Sequence, residues 1–236
     1  MQVLEVLKVH QFDDKCRYGS NNDGGYVIGI LNEEYDCYIS AGISSEESFS
    51  KDFINKHNMN EYNSFAFDGT INSYPYEYTT NISFIKKNIN SFNDDKNTNL
   101  HQLIEKYDNI FLKIDIEGGE YPWLLNISED QLSKFKQIVI EFHGITNDGW
   151  GCTNTDKIKC LEKLQNTHYI IHAHGNNYSH IFNNIPDVIE LTYINKNYFT
   201  SPPPLNTQSL PIPNVDFPNN RQRNDIPLNF YPFLSK

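Results

Sequence analysis

No stretch of this 236-residue chain stays apolar for the roughly 18 to 20 residues that a membrane-spanning helix needs. The start, Met1-Gln-Val-Leu-Glu-Val-Leu-Lys8, carries neither the basic segment nor the cleavage site of a secretory leader. No membrane insertion and a cytoplasmic setting are therefore expected. Basic residues are scarce: 19 Lys and Arg stand against 30 Asp and Glu, a formal charge of -11, which opposes binding to nucleic-acid phosphates and to anionic lipid. Nucleic acid is not an expected partner. Cysteine is sparse as well, with Cys16, Cys37, Cys152 and Cys160 scattered and forming no CxxC pair, in a chain too large to need disulfide staples. A reducing compartment fits that usage.

Proline is thin before residue 201 and dense after it, from Pro202-Pro-Pro204 to Pro232, which excludes regular helix and central strand there. The tail nevertheless carries Leu210, Ile212, Phe217, Leu228, Phe230, Tyr231 and Phe233. It is expected to dock on the domain or on a neighbouring subunit, the latter giving a homo-oligomer, with a disordered tail as the alternative. The length suits one well-buried core and is short for two. Three segments follow: an N-terminal lid or hairpin over residues 1–30, where Asp23-Gly-Gly25 reads as a turn, a main domain over 31–200, and the proline-rich tail over 201–236.

Within the main domain, apolar strand patterns alternate with helical ones. Strands are expected at Tyr35–Ala41, Asn63–Phe67, Asn81–Lys86, Phe111–Ile114 and Gln137–Glu141, and helices at Glu46–His57, Asn99–Tyr107, around Trp123–Leu125 and at Asp156–Asn166. Two last strands, His168–His174 and Asp187–Ile194, follow without an intervening helix and are expected as an antiparallel pair at one edge. The order predicts an α/β mixed sheet with helices on both faces.

Two strands end in acids. Phe111-Leu-Lys-Ile-Asp115-Ile-Glu117-Gly-Gly-Glu120 and Gln137-Ile-Val-Ile-Glu141-Phe-His143 bring Asp115, Glu141 and His143 to the C-terminal edge, where open parallel sheets bind ligands. Glu117 and Glu120 read better as partners of the following helix N-terminus than as substrate contacts. A glycine turn after the first core strand, Gly42-Ile43-Ser44-Ser45, allows backbone amides to approach a ligand, and Asp68-Gly69 at the tip of the next strand suits ribose hydroxyls. The G-x-G-x-x-G pattern that admits a pyrophosphate is missing, so a nucleoside without phosphates fits better, and S-adenosylmethionine is such a ligand. His172 and His174 share one strand face and run into Gly175-Asn176, so all three are candidates for holding acceptor hydroxyls. Aromatic residues such as Trp123 and Trp150 are more often core than sugar platforms and are given no role.

These residues resemble the FkbM-like family of class I S-adenosylmethionine-dependent methyltransferases. The likeness rests on Lys113-Ile-Asp-Ile-Glu-Gly-Gly-Glu120, Ile138-Val-Ile-Glu-Phe-His143, Arg17-Tyr-Gly-Ser20, Asp23-Gly-Gly-Tyr-Val27, Ser48-Phe49 and Phe67-Asp68, and covers about residues 15–195. It implies a Rossmann-like seven-stranded sheet with one antiparallel edge strand and O-methylation of a sugar, glycan or related small molecule. Ser40 stands where the family's first motif has an acid, so the cofactor's amino-acid end would fall to Arg17, Tyr18 or Ser45. His143 is the candidate base. Asp115 and Glu141 orient the acceptor or, by analogy with metal-dependent methyltransferases, hold Mg or Mn. The missing acid keeps a second reading open, a non-catalytic methyltransferase-like module that binds a nucleoside or a partner protein.

Overall fold

A computed structural model of the chain describes residues 5–235; residues 1–4 and 236, and with them the first part of the leader reading, lie outside the described residues. The chain opens with the antiparallel hairpin β1 (Lys15–Tyr18) and β2 (Tyr26–Gly29). The central sheet is built from β3 (Cys37–Ala41), β4 (Ser64–Phe67), β5 (Ser83–Ile85), β8 (Ile110–Ile114), β9 (Phe135–His143), β10 (His168–Gly175) and β13 (Val188–Asn195). Between these lie the short pairs β6 (Asn88–Ile89) with β7 (Asn97–Thr98), and β11 (Ile181–Phe182) with β12 (Ile185–Pro186).

The seven strands run in the order β10-β13-β9-β8-β3-β4-β5. β13 alone is reversed, antiparallel to both neighbours and one place in from the edge. Strands β8 and β9 are buried along their whole length, as near-continuous apolar runs in a covered parallel sheet require.

Helix α1 (Ser48–His57) covers one face together with the hairpin. Its Phe49, Phe53 and Ile54 lie on one side, and Phe53 packs 4.6 Å from the Tyr38 ring and 4.2 Å from Phe111. It stops at Asn58, whose left-handed backbone returns its N–H to the Ile54 carbonyl. The opposite face carries α3 (Glu120–Asn126), α4 (Glu129–Leu132) and α5 (Asn154–Thr167), through Trp123, Leu124, Leu132, Leu161 and Leu164. The helix expected over Asn99–Tyr107 is a single turn, α2 (His101–Ile104). Asn99 still receives the His101 N–H, but beyond Ile104 the bonds tighten, with Lys106 and Tyr107 donating three residues back.

The proline-rich tail packs on the chain's own domain. Leu210, Leu228 and Phe233 are fully buried with Val6, Leu7 and Val9 from the start of the chain. Val9 bridges β10 at Ile170, and Asn206 donates to Val9. These contacts cover an edge that would otherwise offer unpaired backbone groups. Among the described residues no helix is long and apolar enough to cross a membrane.

Candidate functional site

The C-terminal ends of β3, β4 and β8 meet at a cleft of about 560 Å³ lined by Gly42, Ser44, Asp68, Asn88, Asn97 and Asp115, among others. Its floor depends on Gly42. That residue has φ +80° and donates to the Phe67 carbonyl, while Asp115 donates to Ala41. A Cβ on Gly42 would collide with the Asp115 carbonyl oxygen, so two strand-end turns meet at a distance only glycine allows.

Asp68 clamps this turn. One carboxylate oxygen accepts from Ile43 N (3.0 Å) and Ser44 N (3.1 Å), the other from Thr70 N (2.7 Å) and Thr70 Oγ1 (2.5 Å). Burial opposes its charge, but these bonds outweigh burial and hold its pKa below the usual carboxylate range. With four bonds made, a ribose hydroxyl must displace Thr70 to reach it. Gly69 N donates to Asn88 in the cleft wall (3.2 Å), and Ile43 offers its amide to Asp68 while its side chain is buried. Two expected cofactor contacts fall elsewhere. Ser45 is exposed and outside the lining, and Tyr18 packs against Phe49 and Phe53 of α1.

Strands β8 and β9 do bring Asp115, Glu141 and His143 together, and Tyr26 from the hairpin joins them. The Tyr26 hydroxyl lies 3.1 Å from Asp115 Oδ2 and 3.3 Å from Glu141 Oε2, and Asn176 Nδ2 donates to Glu141 Oε1 at 2.7 Å. Burial, then the charges of Asp115 and Glu190, push the Glu141 pKa well above the carboxylate range; burial also raises Tyr26. A phenol has one proton to give. The Tyr26 hydroxyl can therefore donate to Asp115 or to Glu141 but not to both at once, and it ties the two carboxyl groups together.

Glu141 is engaged by Tyr26 and Asn176, and the set of groups close enough to share an ion is a different one: Asp115, Glu117 and His143 each present one ligand atom within 4.8 Å of the others. Glu117 sits at φ +54°, outside α3, with its carboxylate 3.5 Å from His143 Nε2. Glu120 does serve the helix start, accepting from Ile116 N at 2.9 Å. His143 Nε2 is 3.8 Å from Asp115, and its Nδ1 is 3.4 Å from Glu120. Burial disfavours the imidazolium, but Glu120, Asp115 and Glu117 outweigh it and lift the His143 pKa above the ordinary histidine range.

The three residues expected to hold the acceptor bond instead within the fold. His172 Nε2 meets Asp216 at 2.8 Å; His174 meets Glu190 at 3.1 Å and Asp225 at 3.0 Å. Both histidines are 2% exposed, and through Asp216 and Asp225 they anchor the tail. Asn176, bonded to Glu141, supports the network from behind.

Three residues stand in the site that sequence patterning gives no role there. Tyr26, in the Asp23-Gly-Gly-Tyr-Val27 run that carries the family resemblance, reaches the strand-end acids. Glu47 reaches the strand position that has no acid, receiving Ser40 Oγ at 3.2 Å and Tyr74 at 2.8 Å, a compensation visible only in three dimensions. Trp150 lies 5.2 Å from His143, ring to ring, and its signal was a Trp between two glycines.

The strand order, the single reversed strand and a ligand cleft at a glycine turn beside strand-end acids define a Rossmann-like methyltransferase fold. The chain belongs to the FkbM methyltransferase family: the family model described as Methyltransferase FkbM domain matches residues 14–190. No curated protein matches the chain.

Proposed function

We propose that this protein is an S-adenosylmethionine-dependent O-methyltransferase acting on a sugar or glycan hydroxyl. The observation that carries the reading is the place of His143, whose Nε2 lies 3.8 Å from Asp115 and 3.5 Å from Glu117, both of which line the cleft. The residues present fit the cofactor. Asp115 and Glu117 in the cleft lining would suit a sulfonium and an amino group, Asn88 keeps its side-chain N–H groups for a nucleoside, and the turn lacks the glycine pattern that admits a pyrophosphate. Bound there, S-adenosylmethionine supplies an electrophilic methyl group. His143 Nε2 takes the proton of the acceptor hydroxyl, and Glu120 beside Nδ1 stabilises the resulting imidazolium. Asp115, fixed by the Tyr26–Glu141 chain, orients the hydroxyl, and holding it in line for attack supplies much of the rate.

The close set of Asp115, Glu117 and His143 supports a metal-assisted version as the alternative to His143 as base: these residues would hold a divalent cation that would lower the pKa of the acceptor hydroxyl. The imidazole suits Mn better than Mg, which prefers oxygen ligands. We read residues 31–200 as the methyltransferase unit, with the hairpin and tail as its covers. The free cysteines fit a cytoplasmic setting. The test is mass spectrometry of candidate glycans incubated with methyl-labelled cofactor. One added methyl group is expected, lost in His143→Ala; full turnover by that variant would remove the base, and turnover unaffected by a chelator would remove the cation.

A further inference from the structure

Trp150 occupies a place that costs the fold something. Gly149 and Cys152 exchange two backbone hydrogen bonds of 3.1 Å, closing a two-residue turn whose central residues, Trp150 and Gly151, have φ +53° and +71°. Such turns favour Asn-Gly, Asp-Gly or Gly-Gly, and a bulky residue in the left-handed region is an outlier that points to function. The surroundings are shaped to receive it. A Cβ on Gly118 would lie 2.7 Å from Trp150 Cβ, and one on Gly144 would collide with the indole. Both glycines are themselves left-handed, at φ +91° and +64°, and they flank Glu117 and His143 in sequence.

The loop carrying the indole is tied down. The buried Lys157 ammonium donates to Gly144 O (2.6 Å) and Asn147 O (3.0 Å), Asn147 and Thr146 donate to Asp187, and Asn154 N donates to Asp148 (2.6 Å). Yet Trp150 remains 46% exposed, and its indole N–H has no hydrogen bond among the described residues. A core role would bury it, whereas a rigid aromatic beside a polar catalytic group suits a ligand with one apolar face and several hydroxyls.

We propose that Trp150 is the acceptor platform: the indole stacks on the C–H face of a pyranose ring and thereby delivers one ring hydroxyl to His143. This inference rests on the methyl-transfer reading and narrows its acceptor to a ring sugar. The probes are methyl pyranosides of glucose, mannose, galactose, rhamnose and N-acetylglucosamine, with open-chain glucitol as control, titrated into protein saturated with S-adenosylhomocysteine. Calorimetry and tryptophan emission are read together. Trp123 is fully buried, so a ligand-dependent emission change reports Trp150.

At least one pyranoside is expected to bind and quench, with glucitol inert. Trp150→Leu is expected to weaken that pyranoside about tenfold and to lower its kcat/KM by at least as much. Trp150→Phe is expected to restore most of the affinity, and both variants to keep the affinity for S-adenosylhomocysteine. Binding of S-adenosylhomocysteine without any pyranoside, or pyranoside affinity unchanged within twofold in Trp150→Leu, would overturn the proposal alone. Failure to bind S-adenosylhomocysteine would remove the methyl-transfer reading and this inference with it.

Discussion

Tyr26 ties two carboxyl groups together through one phenol. Its hydroxyl lies 3.1 Å from Asp115 and 3.3 Å from Glu141, and it holds Asp115 in place beside His143. Tyr26→Phe breaks this link. We expect kcat to fall about 10- to 100-fold, the value of a hydrogen bond to a charged group, with the affinity for S-adenosylhomocysteine little changed. The raised pKa of His143 has a definite sign in kinetics. A base must be unprotonated, so kcat/KM is expected to rise with pH through a midpoint above the ordinary histidine value of about 6.5. Glu117→Gln removes one of the anions that favour the imidazolium, and the midpoint should move down; an unchanged or raised midpoint would contradict the electrostatic account. Asp115 and His143 were legible because a strand that ends in polar residues delivers them to one edge. Tyr26 was less legible, since its partners lie far along the chain.

At the scale of elements, two-residue and 3.6-residue periodicities located the sheet strands and α1, α3 and α5, because each buries one consistent face. The pattern overran at Asn99–Tyr107, where apolar spacing continued but the backbone tightened after one turn. Periodicity also said which face of β10 carries His172 and His174, but not what covers that face. The cover comes from the tail, through Asp216 and Asp225, and local patterning has no access to such contacts. The β3 turn carries a prediction of its own. Gly42→Ala adds a methyl against the Asp115 carbonyl at φ +80°, and we expect about 1 to 3 kcal/mol of destabilisation by urea unfolding, together with weakened S-adenosylhomocysteine binding. A neutral substitution would mean that the two turns do not press together as described.

Taken whole, the molecule is a methyltransferase domain whose family-matched part ends at residue 190, followed by a tail that closes over the sheet edge. Asp216 is the best handle on that closure. Burial raises its pKa, but the charges of His172 and His174 and the Ile212 amide hold it near 2, below its ordinary value of 3.8. A depressed carboxylate contributes stability above its unfolded pKa and loses it as the pH falls through the folded one. The stability gap between the native chain and Asp216→Asn, about 1 to 3 kcal/mol where Asp216 is ionised and His172 protonated, should therefore close as the pH falls toward about 2; burial lowers the His172 pKa, so its charge supports Asp216 only on the acid side. A gap that persists unchanged in acid would show that the carboxylate charge does not anchor the tail.

The account stands or falls on the cleft between Gly42, Asp68 and Asp115. Calorimetric titration of the full chain with S-adenosylhomocysteine tests it most directly. Saturable one-to-one binding, weakened in Gly42→Ala and retained in His143→Ala, is the result predicted. Absence of binding, or binding indifferent to Gly42, would contradict it.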